Sequence, residues 1–188
     1  MDKRQFLKLS TGVSLGFILP NGVNAANTLQ VLKSDMRWPS YSNSVVIDGL
    51  SAAFDYGVES FDNNVLAIFK QSGISALNAT IPSPGDDHAT TLSKIESTLA
   101  LIKRYPSHFR LVTKASDVLL AKKQQQIGII MGFQSTEMFA DDLNQIDFFA
   151  RNGVRYMQLS YNGASQFGSG GLVKNDKGLK VLGQEALQ

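Results

Sequence analysis

Three features of the sequence predict an α/β fold built on a parallel sheet. Short apolar runs rich in β-branched residues recur along the chain, segments with helical spacing separate them, and the two alternate strictly. A strand, a helix and a second strand in one sheet require parallel pairing, with the helices covering the sheet. Five such units fit either a doubly wound sheet or part of an eight-stranded barrel, and periodicity alone leaves both open.

The first strand is expected at 45–48, a buried run of Val45, Val46 and Ile47 that Asp48-Gly49 breaks. A helix over 61–72 stops at Ser72-Gly73, with glycine just past the helix end. Strand 74–79 (ISALNA) leads to a helix over 88–104, in which Leu92, Ile95, Leu99 and Ile102 repeat at helical spacing. Strand 109–113 (FRLVT) precedes a helix over 115–125 with a cap-like start at Ser116-Asp117. Strand 127–133 (IGIIMGF) precedes a helix over 141–152, opened by Asp141-Asp142 and closed by Asn152-Gly153. The fifth strand is 155–160 (RYMQLS), and KGLKVLGQEALQ (177–188) reads as the start of another helix.

The 188 residues are enough for one domain with a sizeable core, and 43% hydrophobic with 18% charged residues is ordinary for a globular chain. The net charge of +2 is unevenly placed: residues 1–25 carry Lys3, Arg4 and Lys8 against Asp2, so the remainder is balanced. No basic stripe with interleaved aromatics is left, which argues against nucleic acid as a partner. The absence of cysteine excludes disulfides and thiolate metal sites.

Residues 1–25 read as a signal peptide, with a basic start, an apolar stretch from Val13 to Leu19, and small residues around Ala25. The apolar stretch falls short of the roughly 20 residues that span a bilayer, so no stable membrane anchor is expected. Lys3-Arg4-Gln5-Phe6-Leu7-Lys8 resembles the twin-arginine export signal, with lysine in the first arginine's place. The expected location is periplasmic, or otherwise exported after cleavage. Residues 26–44 read as a linker or an arm leading into the domain, with Trp38-Pro39 placed to pack across its end.

From residue 45 onward the chain resembles the membrane (renal) dipeptidase family. Val46-Ile47-Asp48-Gly49 is similar to the family's opening strand, which continues D-G-H-x-D. RYPSHFRLVTKASDV (104–118) is similar to a helix–strand–helix segment, and IGIIMGFQ (127–134) to the strand that ends G-x-E. FFARNGVRYMQLSYNG (148–163) resembles the helix–turn–strand ending L-T-H-N, and GLVKNDKGLKVLG (171–183) the loop and helix after it. The resemblance implies a zinc metallopeptidase of the amidohydrolase type, and hence a (β/α)8 TIM-type barrel. The chain is shorter than the about 250 residues of a full barrel. The expectation is therefore a partial barrel over 45–188, its first five strand–helix units, an incomplete copy of the family's domain.

The departures fall on the chemistry. The resemblance places the family's first histidine ligand at Leu50, its aspartate ligand at Ala52, the metal-bridging glutamate at Gln134 and a substrate-contacting histidine at Tyr161. Leucine and alanine donate nothing, and glutamine offers one neutral carbonyl oxygen where a carboxylate would bridge two cations. Zinc, the family's cofactor, is therefore not expected to be retained here, and the chain alone is expected to be inactive. The candidate catalytic residues are Gln134, Tyr161 and Asp48, at expected strand ends. Asn162, Asp55 and Glu137 are candidates for substrate binding, in loops on the same face. The expected ligand is a small peptide or polar molecule, held by hydrogen bonds without a metal.

His88 and His108 fall at no expected strand end and read as surface residues. FGSGGL (167–172) lacks phosphate-loop spacing and reads as a flexible active-site loop. An incomplete barrel leaves strand edges and an apolar inner face uncovered, so self-association is expected.

Overall fold

The computed structural model describes residues 40–54 and 58–188. The leader, the arm through Pro39 with its Trp38, and Asp55 lie outside the described residues. A 3-10 turn at Tyr41–Asn43 opens the described chain, and β1 is Ile47–Ser51. There follow α1 (Asn63–Ser72), β2 (Ala76–Thr80), α2 (His88–Arg104), β3 (Phe109–Leu111) and α3 (Ala115–Lys123). Then come β4 (Ile127–Phe133), a 3-10 turn (Glu137–Phe139), α4 (Asn144–Arg151), β5 (Val154–Met157) and α5 (Val181–Glu185).

All five strands pair in parallel in one sheet, as strict alternation requires. Their order is β1-β2-β4, with β3 and β5 sharing the far edge of β4. Backbone bonding shows how one edge serves two strands. Odd residues of β4 face that edge: Ile127 N donates to His108 O, Ile129 O accepts from Val112 N, and Phe133 O accepts from Gln158 N. Even residues face β2, with Gly128 N donating to Ser75 O and Gly132 O accepting from Ile81 N. The three-residue β3 therefore occupies only the lower half of the edge, and the sheet-wide run is β1-β2-β4-β5.

Of the helix signals, the stop at Gly73 acts as read, while α4 starts at Asn144, after the expected Asp141-Asp142. Asp62 accepts from Val65 N at 2.8 Å and Asp87 from Thr90 N at 2.7 Å, capping α1 and α2. Gly73 ends α1 at φ 74°, in the left-handed conformation glycine tolerates. The start of α3 differs from expectation: Ser116 is not the cap. Asp117 reaches back from inside the first turn and accepts from Thr113 N at 2.9 Å and Lys114 N at 3.1 Å.

The first strand also differs. It was expected to be buried and to end at Asp48; it runs through Gly49 to Ser51, and Ile47 is 52% exposed. The cause is its place at the sheet edge, where only β2 covers it. Its pairing slips between Asp48↔Leu77 and Ser51↔Ala79, a bulge of one residue held by Asn78 Nδ2 donating to Gly49 O at 3.1 Å.

Residues opposite one another in parallel strands share a face. Leu77 and Ala79 of β2, and Ile81 just past it, join Ile129, Met131 and Phe133 of β4 on the helix-bearing face, against Ile95, Leu101 and Phe149. Phe54 and Phe69 each pack edge to face with Phe109, the Phe69 and Phe109 ring centres 5.2 Å apart. The other face carries Ile47, Ala76, Asn78, Thr80, Gly128, Ile130, Gly132 and Tyr156. Val112 and Val118 close its lower end against Ala76 and Ile130.

The histidines are not free surface groups. His88 is half-buried against the rings of Phe148 and Phe149, and its Nε2 lies 3.0 Å from Gln145 Oε1. His108 is half-buried beside Tyr105 and Phe109, with Nδ1 3.0 Å from Ser107 Oγ. No helix among the described residues is long and apolar enough to cross a membrane.

Candidate functional site

The C-terminal ends of β2, β4 and β5 and the loops leaving them form the face where a barrel of this type carries its chemistry. Gln134 is the first residue past β4, and the backbone then turns through Ser135 and Thr136, both buried. The loop after β5 is stitched to that turn. Thr136 Oγ1 donates to Leu159 O at 3.1 Å, and Gln166 Nε2 donates to Thr136 O at 3.0 Å. Ser165 Oγ donates to Leu159 O at 2.9 Å and lies 2.7 Å from Ser160 Oγ.

FGSGGL is held by the same stitching and is not a loose loop. Phe167 is fully buried against Phe139, Gly168 bridges Leu179, and a Cβ on Gly170 would sit 2.0 Å from Gly163 O. Glycine is required there by close backbone approach, not by flexibility.

Gln134 is half-buried, and its amide has no hydrogen-bond partner among the described residues. Tyr161 is half-buried in a bend four residues past the end of β5, and its carbonyl accepts from Gly171 N at 2.7 Å. Asn162 is exposed beside it, and its carbonyl accepts from Leu172 N at 3.0 Å. Glu137 is exposed at the start of the 3-10 turn, its backbone N donating to Ser135 Oγ at 3.3 Å. These four follow neighbouring strands. Asp48 stands apart: its register partner is Leu77, on the helix-bearing face, and its Oδ1 accepts from Leu50 N at 3.1 Å.

Two residues of this face escaped the reading of the sequence. Asn78 and Thr80 are buried on β2, and Asn78 Oδ1 and Thr80 Oγ1 have no partner among the described residues. Buried polar atoms are normally paired, so each marks a place where something polar is to be met. The signal was present in ALNAT, where Asn and Thr fall two apart in an apolar strand and so share a face.

Three carboxyls are held below the usual range, and all three open helices. For Asp87 the cause is hydrogen bonding from the Thr90 side chain and backbone, and for Asp117 chiefly the Thr113 backbone N–H. For Asp142 it is chiefly the Gln145 side-chain amide, then Asn144.

The residues that the resemblance places at the family's ligand positions carry a donor set that suits a pair of divalent cations poorly. Leu50 and Ala52 are exposed hydrocarbon, and Gln134 carries a neutral amide. No group of three or more His, Cys, Asp or Glu able to hold a metal lies among the described residues. His88 and His108 are engaged elsewhere, so neither substitutes.

A search of curated protein sequences returned no match. Among solved structures, an amidohydrolase from Pseudomonas aeruginosa is 26% identical, with a TM-score of 0.68 over 78% of this chain and 43% of that one. A probable dipeptidase, PvdM, from Pseudomonas aeruginosa is 18% identical, with a TM-score of 0.62 over 87% of this chain and 47% of that one. A metallopeptidase of family M19, the dipeptidase AC, is 17% identical, with a TM-score of 0.61 over 75% of this chain and 52% of that one. The last two likenesses carry the fold alone, and the chain spans about half the length of all three. These neighbours identify the parallel sheet and its helices as part of a TIM-type amidohydrolase barrel. A sequence model of the membrane dipeptidase family, peptidase family M19, matches residues 58–188, well over half of the chain. The chain belongs to the membrane dipeptidase family.

Proposed function

We propose that this chain is a member of the dipeptidase family that does not by itself assemble the family's metal centre and does not by itself hydrolyse dipeptides. The observation that carries this reading is the chemistry at the mouths of β1 and β4. Leu50 is 54% exposed where a donor is needed, and Gln134 presents an amide. Two divalent cations need anionic or imidazole donors to offset their charge and an open position for water. Fixed hydrocarbon and one carbonyl oxygen supply neither.

What this face retains is hydrogen-bonding capacity. The Gln134 amide has no partner among the described residues, and Tyr161, Asn162 and Glu137 stand in the adjoining loops. A small peptide or other polar molecule is the class of ligand these groups suit, as donors and acceptors for a peptide's amide and termini. The leader pattern supports a periplasmic or otherwise exported location.

The test is metal analysis of the purified 188-residue chain after dialysis against zinc, together with dipeptide hydrolysis with and without a chelator. The expected result is zinc well below one ion per chain and no chelator-sensitive hydrolysis. Stoichiometric zinc with hydrolysis that a chelator abolishes would overturn the proposal.

A further inference from the structure

A cavity of about 310 Å³ opens at the N-terminal ends of β2 and β4, at the other end of the strands from the loops that carry Gln134 and Tyr161. Residues 42 to 127 alone line it, with Ser75 just before β2 and Ile127 at the start of β4, the two inner strands of the sheet-wide run. Lys70 reaches it from the last turn of α1 and Lys122 from the last turn of α3, and no carboxylate is among its lining residues. Lys122 Nζ gives two of its three donors to Ser42 O and Ser44 O. Lys70 is exposed, and its ammonium has no partner among the described residues. The run Gln124-Gln125-Gln126 passes beside it. Gln124 Oε1 and Gln126 Oε1 both accept from Arg110, and Gln126 Nε2 donates to Pro106 O. The Gln125 amide lines the cavity and has no partner among the described residues. Gln125 holds this place in the left-handed conformation, φ 56°, just past α3, where helices commonly end on glycine. A side chain kept there against backbone strain points to a role for that side chain.

We propose that this cavity binds the phosphate group of a small phosphate monoester, with Lys70 and Lys122 supplying charge and Gln125 Nε2 a hydrogen bond. Basic residues in a last turn also complement the helix dipole, and that role must be weighed. Each helix C-terminus carries roughly half a negative charge. Two of them offset about one of the two ammonium charges, so the cavity keeps a net positive charge. A neutral ligand would leave that charge and the Lys70 ammonium unanswered. A monoester brings a charge of about −1.5 to −2 at neutral pH and three strong acceptor oxygens. Three donors stand ready for them: Lys70 Nζ, the remaining donor of Lys122 Nζ, and Gln125 Nε2. The volume is at the lower end of the range for small-molecule sites, so the rest of the ligand is small. The cavity shares no residue with the positions where the family's metal ligands fall, and it serves whether or not a metal centre forms.

The test is isothermal titration calorimetry of the full chain at neutral pH and constant ionic strength, with inorganic phosphate and glycerol phosphate as probes. Both are expected to bind saturably at one site per chain, glycerol phosphate at least as tightly as phosphate. Lys70→Gln is expected to weaken both by about tenfold or more, the effect of losing one charge-assisted hydrogen bond. Gln125→Gly removes the amide and relieves the left-handed strain. It is expected to weaken binding several-fold while raising the urea midpoint of the free protein, a combination that a merely structural glutamine would not give. Both positions are exposed, so the two variants are expected to keep the far-UV spectrum of wild type. No saturable binding of glycerol phosphate, or binding left unchanged by either Lys70→Gln or Gln125→Gly, would overturn the proposal.

Discussion

The amide of Asn78 lies against the backbone of Gly132, so close that a Cβ on Gly132 would sit 2.0 Å from Asn78 Oδ1. The same amide holds the β1 bulge through its Nδ2, which donates to Gly49 O. A methyl group at residue 132 must therefore push the amide out of a place it occupies for a reason. Gly132→Ala is expected to destabilise by about 1–3 kcal/mol, the usual range for overpacking. Asn78→Ala makes room for that methyl, so the double variant N78A/G132A is expected to lose less than the two single losses combined. Urea unfolding of the four species checks this, and strict additivity would refute the contact.

Acid stability follows from the three helix-start carboxyls. Asp87, Asp117 and Asp142 all have folded pKa values below their ordinary 3.8. A depressed folded value means that the stabilisation is present above the unfolded pKa and is lost as pH falls through the folded one. Stability is therefore expected to be flat from neutral pH down to the ordinary carboxyl range and to decline below it. Asp87→Asn keeps an oxygen that accepts from Thr90 N but cannot titrate. Its stability is expected to run parallel to wild type near neutral pH and to fall less steeply in acid. Thermal melts at a series of pH values measure it, and identical slopes for the two proteins would sink the assignment.

Restoring donors should restore metal affinity. Leu50 and Ala52 are exposed and Gln134 is half-buried, so L50H, A52D and Q134E introduce ligands without opening a core cavity. The triple variant is expected to retain measurably more zinc than wild type after dialysis, with affinity falling as pH drops and the new ligands protonate. Elemental analysis of both proteins decides it; equal zinc in the two would show that these positions do not converge.

Much of the fold was legible because periodicity reports directly on burial. Ile95 and Ile102 are buried on α2, and Leu92 and Leu99 pack beside them, as their spacing implied. What the sequence could not show was non-local. Val45, Val46 and Ile47 read as buried because β-branched runs usually are, yet an edge position leaves Ile47 half in solvent. FRLVT and RYMQLS look like equivalent strands, and nothing local says that β3 and β5 must share one edge of β4. At the site, Gln134 stood out because it interrupts a known pattern, whereas Asn78 and Thr80 passed as ordinary strand residues. Their importance lies in lacking partners, which only three dimensions reveal.

Gly73 joins the end of α1 to the arm at residues 40–44. Its φ of 74° is strained for any side chain, and a Cβ there would sit 2.8 Å from Tyr41 Cε1. Tyr41 is anchored in turn, its hydroxyl donating to Ser72 O at 3.2 Å, while Lys122 Nζ donates to Ser42 O and Ser44 O. Gly73→Ala therefore carries two separable costs. The backbone part is about 1 kcal/mol, from forcing alanine into the left-handed region. The second is displacement of the tyrosine ring. In a Tyr41→Ala background only the backbone part remains, so Gly73→Ala is expected to cost less there than in wild type. Denaturant midpoints for the four combinations measure the difference. An undiminished loss in the Tyr41→Ala background would mean that the ring and the helix end are not coupled.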